Sequence, residues 1–315
     1  VCDAVCNLVH RDILSPDGVT FVARRGPAEQ DREFFSSTDT WCRPVYLATG
    51  PDGALYVVDM YRAVIEHPEW IPDSIEKKLD LRAGSDRGRI YRVRPKDAKL
   101  PPTPRLSAQS GEDLVALLEH PNGWLRDTAQ RLLFERRDAA AMDRLLGLAL
   151  HSKSPVARLH ALWTLEGLEA LSDELIEQAM GDEPPNLREH ALRLAEGRLA
   201  DSPRLRELTL ERANDPETRV RYQLICTLGG FDDPDAVKVL AKLATRDIAD
   251  SWCRIAVLQS AYGKAGLLLL NLTAESSGFL TEMTPENVTL LNQLAYMVGA
   301  SGYAHHVREL FYSFT

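Results

Sequence analysis

Val220-Arg221-Tyr222-Gln223-Leu224, entered through Asp215-Pro216, is the stretch that decides the fold, because it recurs. Leu125-Arg126-Asp127-Thr128-Ala129, Ala157-Arg158-Leu159-His160-Ala161, Leu187-Arg188-Glu189-His190-Ala191 and Cys253-Arg254-Ile255-Ala256-Val257 share its arginine, followed three residues later by a small or apolar side chain. The arginines return every 30 to 33 residues, within the range of repeat architectures. His120-Pro121-Asn122-Gly123, Ser154-Pro155 and Pro184-Pro185 stand ahead of other copies. Pro or Asp there suits a first helical turn, whose N–H groups lack partners inside the helix. Between the copies, 141–150, 173–180, 203–213 and 234–244 carry apolar residues at helical spacing, with Val237, Leu240, Ala241 and Ala244 on one face. A hairpin this short cannot bury its apolar stripe alone, so its neighbours must stack into a continuous core. The sequence predicts a solenoid.

The ankyrin and tetratricopeptide signatures are absent. The order Asp/Pro, apolar-Arg, then Ala resembles HEAT repeats in the short form common in bacterial proteins, although HEAT periods usually run to about 40 to 47 residues. The arginines Arg126, Arg158, Arg188, Arg221 and Arg254 are expected to tie one repeat to the next through acidic side chains or helix-end carbonyls. A row of arginines lining a binding surface is the alternative, disfavoured by the acidic excess. Residues 279–315 predict one more helical pair. Thr284-Pro285-Glu286-Asn287 starts the first helix, Val288, Leu291, Leu294, Ala295 and Val298 form its face, and 299–302 break it before the second.

Residues 1–95 differ in texture. Gly50-Pro51-Asp52-Gly53 is a turn between Pro44-Val45-Tyr46-Leu47-Ala48 and Leu55-Tyr56-Val57-Val58-Asp59, both strand-like. Ser15-Pro16-Asp17-Gly18 before Val19-Thr20-Phe21-Val22-Ala23 repeats the idea, and Gly88-Arg89-Ile90-Tyr91-Arg92-Val93 is a third strand. The arrangement resembles propeller blades of the sugar-dehydrogenase and NHL-like kind. The expected class is therefore α + β and multi-domain. The C-terminal part of a β-propeller (1–95, with a helical insertion at about 60–86) leads through a proline-rich linker (96–110) into a HEAT-like, ARM-type α-solenoid (111–315).

The bulk numbers set limits. A formal charge of −9 over 315 residues disfavours a phosphate-binding surface, so no nucleic-acid partner is expected. The longest apolar run, 265–270, is far short of the roughly 20 residues that span a membrane. The opening Val-Cys-Asp and the closing Phe311-Tyr312-Ser313-Phe314-Thr315 suggest an internal fragment. Cys2, Cys6, Cys42, Cys226 and Cys253 form neither a C-x-x-C pair nor a C-x-x-C-H haem attachment, so no metal or haem is expected within this span. Cys226 and Cys253 are expected to be buried thiols inside helices.

Several stretches together resemble one family. They are Asn7-Leu8-Val9-His10-Arg11, Thr38-Asp39-Thr40-Trp41, Arg43-Pro44-Val45 and the run from Gly50 to Arg62. Ile65-Glu66-His67-Pro68-Glu69-Trp70-Ile71-Pro72, Asp86-Arg87-Gly88-Arg89-Ile90-Tyr91-Arg92 and His120-Pro121-Asn122-Gly123-Trp124 complete the set. It resembles the large membrane-bound dehydrogenase family of planctomycetes and verrucomicrobia, also described as haem-binding C-x-x-C-H proteins. The resemblance implies an exported or periplasmic protein: a propeller similar to glucose/sorbosone dehydrogenases, a HEAT-like array, then a cytochrome domain. It further implies oxidation of a carbohydrate-like substrate, with electrons passed to a c-type haem beyond this span and with the solenoid facing that cytochrome domain or another protein. PQQ or calcium in the propeller has no support in the residues; Asp52 and Asp59 could hold calcium, but no EF-hand spacing exists.

Candidate site residues are the polar groups at strand ends and in the insertion: His10, Arg11, Asp39, Arg43, Asp59, Arg62, Glu66 and His67. A histidine can take a proton from a sugar hydroxyl while an Asp–Arg pair orients it. The competing expectation is that these groups tie the last blade to the insertion by ion pairs and caps. Trp41, Trp70 and Trp124 are expected to be packing anchors. Three functions stay open: a fragment of a haem-linked oxidoreductase, inactive by itself; an interaction scaffold with no oxidoreductase activity; and an intracellular HEAT protein of the phycobilin-lyase kind, which the strand-rich front disfavours.

Overall fold

The computed structural model describes residues 1–274, 277–281 and 283–300. The strands are β1 (Cys2–Asp3), β2 (Leu8–Val9), β3 (Asp12–Asp17), β4 (Thr20–Arg25), β5 (Phe35–Ser36), β6 (Pro44–Thr49), β7 (Leu55–Asp59) and β8 (Arg89–Val93). The helices are α1 (Asp73–Glu76), α2 (Gly111–Leu117), α3 (Gly123–Arg136), α4 (Met142–His151), α5 (Pro155–Gly167), α6 (Asp173–Met180) and α7 (Pro185–Ala195). They continue with α8 (Pro203–Glu211), α9 (Thr218–Gly229), α10 (Pro234–Arg246), α11 (Ser251–Ser260), α12 (Ala265–Thr273) and α13 (Pro285–Ala300). The chain divides into two compact units, Val1–Ser15 with Phe21–Arg136, and Pro16–Thr20 with Arg137–Thr315.

The first unit holds small sheets. β6, β7 and β8 form an antiparallel meander with Tyr46 opposite Val58 and Val58 opposite Ile90. Alternation buries Val57 completely and leaves Tyr46 and Ile90 exposed on the other face. β1-β2-β5 is a second sheet and β3-β4 a hairpin. Among the described residues the strands close into neither a barrel nor a complete propeller. The expected helical insertion is mostly turns. Its helix is the single turn α1, and the helical stretch expected up to about residue 86 stops where Asp80 accepts from the Arg82 N–H in a side-chain-made turn. Gly84 then takes a positive φ of 89° where a Cβ would strike the Tyr61 carbonyl, a conformation and a space open only to glycine.

The proline-rich stretch ends packed. Leu106 is buried, and Arg136 donates to the carbonyls of Leu106, Ser107 and Gln109. Helices α2 and α3 belong to the first unit. The Asn122 amide donates to the carbonyls of Gly50 (2.9 Å) and Pro51 (3.2 Å) in the β6–β7 turn, while its oxygen accepts from the Trp124 N–H. One side chain thus starts α3 and pins it to the strand meander.

The second unit is a two-layered stack of helical hairpins. The arginine-bearing helices α5, α7, α9 and α11 pack side by side in one layer, with α6 against α8 and α10 against α12 in the other. Pro155, Pro185, Pro203 and Pro234 occupy first turns, whereas Pro216 lies ahead of the Glu217 cap of α9; Ser154, Ser202, Asp233 and Asp250 accept from the N–H groups behind them. Small residues at the contacts, Ala157, Ala161, Ala191 and Ala195 among them, are buried and let the helices close on Leu162, Leu187, Leu224 and Ile225. In α13 the buried face is Asn287, Leu290, Leu294 and Val298; Val288 is exposed, a rotation from the expected stripe. Asn287 causes part of it, since its amide donates to the buried Phe279 carbonyl. The helix predicted after 302 lies outside the described residues.

Candidate functional sites: the strand-end clusters and the arginine ladder

The eight strand-end candidates separate into distinct groups. Asp39, Arg43, Asp59 and Arg62 come together at the end of the β6–β7 pair. The buried Asp59 carboxylate accepts from the N–H groups of Arg43 (2.7 Å) and Tyr61 (2.8 Å) and from the Tyr91 hydroxyl (3.2 Å). Arg43 spends its guanidinium on the carbonyls of Ala4, Arg62 and Ala63. Asp39 accepts from the Trp41 N–H and the Tyr61 hydroxyl, and these bonds hold its carboxyl below the usual range. Burial pushes the Tyr91 phenol up, and burial with the nearby Asp59 does the same to the Cys42 thiol. Arg89 lies over the Tyr61 ring at 3.8 Å. Its ligand-like feature is a buried Arg62 Nη1 without a hydrogen-bond partner. The other polar groups of the cluster bond backbone or one another.

His10 and Arg11 belong to a second group. His10 Nδ1 lies 2.8 Å from Glu33 and Nε2 3.0 Å from Asp12, so both nitrogens are bound by carboxylates and the imidazolium form is favoured. Arg25 pairs with Glu33 and holds its carboxyl down, with His10 adding to the effect; Arg11 pairs with Glu29. With both ring nitrogens facing carboxylates, His10 has no nitrogen free to take a substrate proton. Glu66 accepts from the Ile65 N–H, and the largely exposed His67 accepts from the Glu69 N–H as a turn cap. Trp41 packs against Tyr61, but Trp70 is 80% exposed and anchors nothing. Among the described residues no group of His, Cys, Asp and Glu could hold a metal ion. No helix of the described residues is long and apolar enough to cross a membrane.

The repeat arginines make a regular pattern. Arg158 donates to Asp182, Arg188 to Asp215 and Arg221 to Asp247, each through two nitrogens to both carboxylate oxygens. The fork also reaches back: Arg126, Arg188, Arg221 and Arg254 each donate Nη1 to two carbonyls of the loop preceding their own helix. Only a planar, five-donor guanidinium serves a carboxylate and two carbonyls at once. Two rungs are nearly dry, with side-chain exposures of 9% and 1% for Arg188–Asp215 and 5% and 7% for Arg221–Asp247. The carboxylates were not singled out from sequence, although Asp215-Pro216 was recognised as a breaker. A second network, also missed, links Arg193 to Glu189 and Gln223, and Glu196 to Gln223 and Thr227. Glu189–Arg193 and Gln223–Thr227 sit at i,i+4 spacing within one helix each, but the links between the two helices span 27 to 31 residues and carry no spacing signal.

On the arginine-helix layer, α9 turns Tyr222 and Cys226 outward. Cys226 is exposed where a buried thiol was expected, because Val220, Leu224, Ile225 and Leu228 take the inward positions; Cys253 is buried. Helix α11 exposes Trp252, Ile255 and Gln259, and Tyr262 follows it at 83% exposure. A cavity of about 480 Å³ lies between these two helices. An equal one lies over the ladder and is lined by Arg188 and Asp215, already paired to each other.

A family model described as a domain of unknown function (DUF7133) matches residues 1–97, and one described as HEAT repeats matches residues 172–261. No curated protein matches the chain. Among solved structures, the crystal structure of an engineered protein is similar at 15% identity, covering 61% of this chain and 99% of that one, with a TM-score of 0.36.

Proposed function

We propose that this chain is a non-catalytic scaffold whose HEAT-type stack presents the outer side of its arginine-bearing helices to a protein partner. The observation that carries the reading is α11, which leaves Trp252 and Ile255 exposed, with Tyr262 just after it, while Cys253, Ala256 and Val257 fill the core on the other side. Exposed aromatic and aliphatic residues grouped on one helix mark interaction surfaces more than they serve stability. The strand-end groups support the same view, since Asp59 and Arg43 are occupied by backbone groups and the Tyr91 hydroxyl, and His10 by the carboxylates of Glu33 and Asp12.

The wider setting rests on the family resemblance. In that setting the strand-rich front is the last part of a propeller in an exported, haem-linked dehydrogenase acting on carbohydrate-like substrates. The c-type haem lies outside this span, and the helical stack spaces or docks the cytochrome domain. Purified chain is assayed for dye-linked oxidation of a panel of sugars. No turnover above buffer is the expected result. Saturable turnover that Arg62→Ala or His10→Ala abolishes would replace the scaffold reading with a catalytic one.

A further inference from the structure

We propose that Trp163 and His190 form a pH-sensitive latch between α5 and α7, closed while the imidazole is neutral and released when it takes a proton. The inference stands apart from the scaffold reading, although both helices belong to the layer that reading turns toward a partner. The indole Nε1 of Trp163 donates to His190 Nδ1 at 2.9 Å, and the two rings meet edge to face with centroids 5.9 Å apart. Helices α5 and α7 pack side by side in consecutive repeats, so the bond spans a repeat junction. Both residues are half-buried. An indole N–H can only donate, so Nδ1 must accept and the imidazole proton sits on Nε2. A second proton can enter only at Nδ1, the atom that holds the latch. The imidazolium then sets two N–H donors against each other, and the bond between the helices is lost.

The surrounding charges keep the latch closed near neutrality. Glu189 of α7 is held by Arg193 at 2.8 Å and by Arg219 of α9 at 3.5 Å. An imidazolium at His190 would be a third cation about that one carboxylate. On α5, Glu166 lies just beyond Trp163 and pairs with Arg198, and His160 lies one turn before the indole. Burial first, then Arg193, holds the His190 imidazole below its ordinary range, with Glu189 opposing and Arg219 adding. Because the folded pKa is depressed, the latch's contribution is complete above the unfolded value of about 6.5 and is lost as pH falls through the folded one. The neighbouring Arg188–Asp215 rung stays ionised in that window, since the Asp215 carboxyl titrates below the usual carboxylate range. Mild acid therefore opens the latch and leaves that rung intact.

The test is a pH titration of the whole chain carrying isotope-labelled tryptophan, in which each indole N–H gives one NMR signal. The Trp163 signal is identified by its loss in Trp163→Phe, or, if that variant does not fold, by exclusion through Phe variants of the remaining tryptophans. Between about pH 7.5 and about pH 5 the signal is expected to move with a midpoint below about 6.5. Over the same range the amides of α5 and α7, corrected for the intrinsic rate, should exchange about three- to tenfold faster, the size of one hydrogen bond. His190→Asn puts an amide oxygen that does not titrate near the Nδ1 position and should hold both the signal and the exchange constant. His160→Gln should leave both transitions in place. A Trp163 signal that stays fixed, one that still moves in His190→Asn, or a shift without faster exchange in α5 and α7 overturns the latch. None of these results bears on partner binding, so the scaffold reading is judged separately.

Discussion

Replacing Asp215 by alanine removes one rung of the arginine ladder and exposes what the rung is worth. The carboxylate accepts from Arg188 at 2.7 and 2.8 Å and from the Glu217 N–H at 3.0 Å, and its side chain is 1% exposed. Truncation strands a guanidinium that is itself only 9% exposed. Breaking one partner of a buried pair costs about 3 to 5 kcal/mol. The Asp182 and Glu183 carbonyls still hold Nη1, so the expected loss is near the lower end, about 3 kcal/mol. Removing both charges, Arg188→Met with Asp215→Leu, should recover most of that loss, because the cost lies in the orphaned charge. The exposed pair Arg204–Glu207 supplies the control, and Arg204→Ala should leave the stability nearly unchanged.

Urea unfolding followed by circular dichroism reads the change. Amide exchange of α7 and α9 localises it without assuming that the whole chain unfolds in one step. Burial opposes charge on Asp215, but the bonds from Arg188 outweigh it and its carboxyl titrates below the usual range. The rung's contribution is therefore present above the unfolded carboxylate pKa and is lost as pH falls through the depressed one. A loss under about 1 kcal/mol in Asp215→Ala, the size expected of a surface pair, would refute the reasoning. So would a double variant no better than the single.

Three further outcomes are expected. Asn122→Ala loses both the α3 cap and the bonds to the β6–β7 turn and should cost about 2 kcal/mol; Asn122→Asp keeps the cap and should cost less, by denaturant titration. His10 has its folded pKa raised, first by Glu33 and then by Asp12, with Arg25 opposing. Its contribution is thus complete below the unfolded pKa of about 6.5 and fades as pH rises through the raised value; a thermal-midpoint difference between wild type and His10→Gln that grew with pH would contradict this. Burial, with Asp250 and Asp247 adding to it, pushes the Cys253 thiol up to about 12, so iodoacetamide at about pH 8.5 should modify exposed Cys6 and Cys226 well before Cys253, read by mass spectrometry.

The repeat was legible because its information is local and periodic. Pro155, Pro203 and Pro234 mark helix starts by removing an N–H that has no partner there, and α6 falls on the predicted 173–180. The strands 44–48, 55–59 and 88–93 were legible from β-forming residues around a Pro-Asp-Gly turn. What escaped was pairing at a distance. The arginines repeat in the sequence, but their carboxylates Asp182, Asp215 and Asp247 lie in loops that share no fixed motif. The strand-end cluster shows the same limit: Asp59 ends a strand as expected, yet Tyr61 and Tyr91, which complete its surroundings, look like ordinary strand and loop aromatics. The insertion misled because Lys77 to Arg82 has helical composition, whereas Asp80 and Gly84 turn the backbone away.

The central claim is that the arginine-helix layer faces a protein partner, and site-specific photo-cross-linking in the source cells tests it most directly. A photoreactive residue at Gln259, on the exposed side of α11, should capture another protein. The same residue at the exposed Lys238 of α10, in the opposite layer, should not. Adducts at Gln259 alone are the predicted result. Equal capture at both positions, or none at either, would contradict the account.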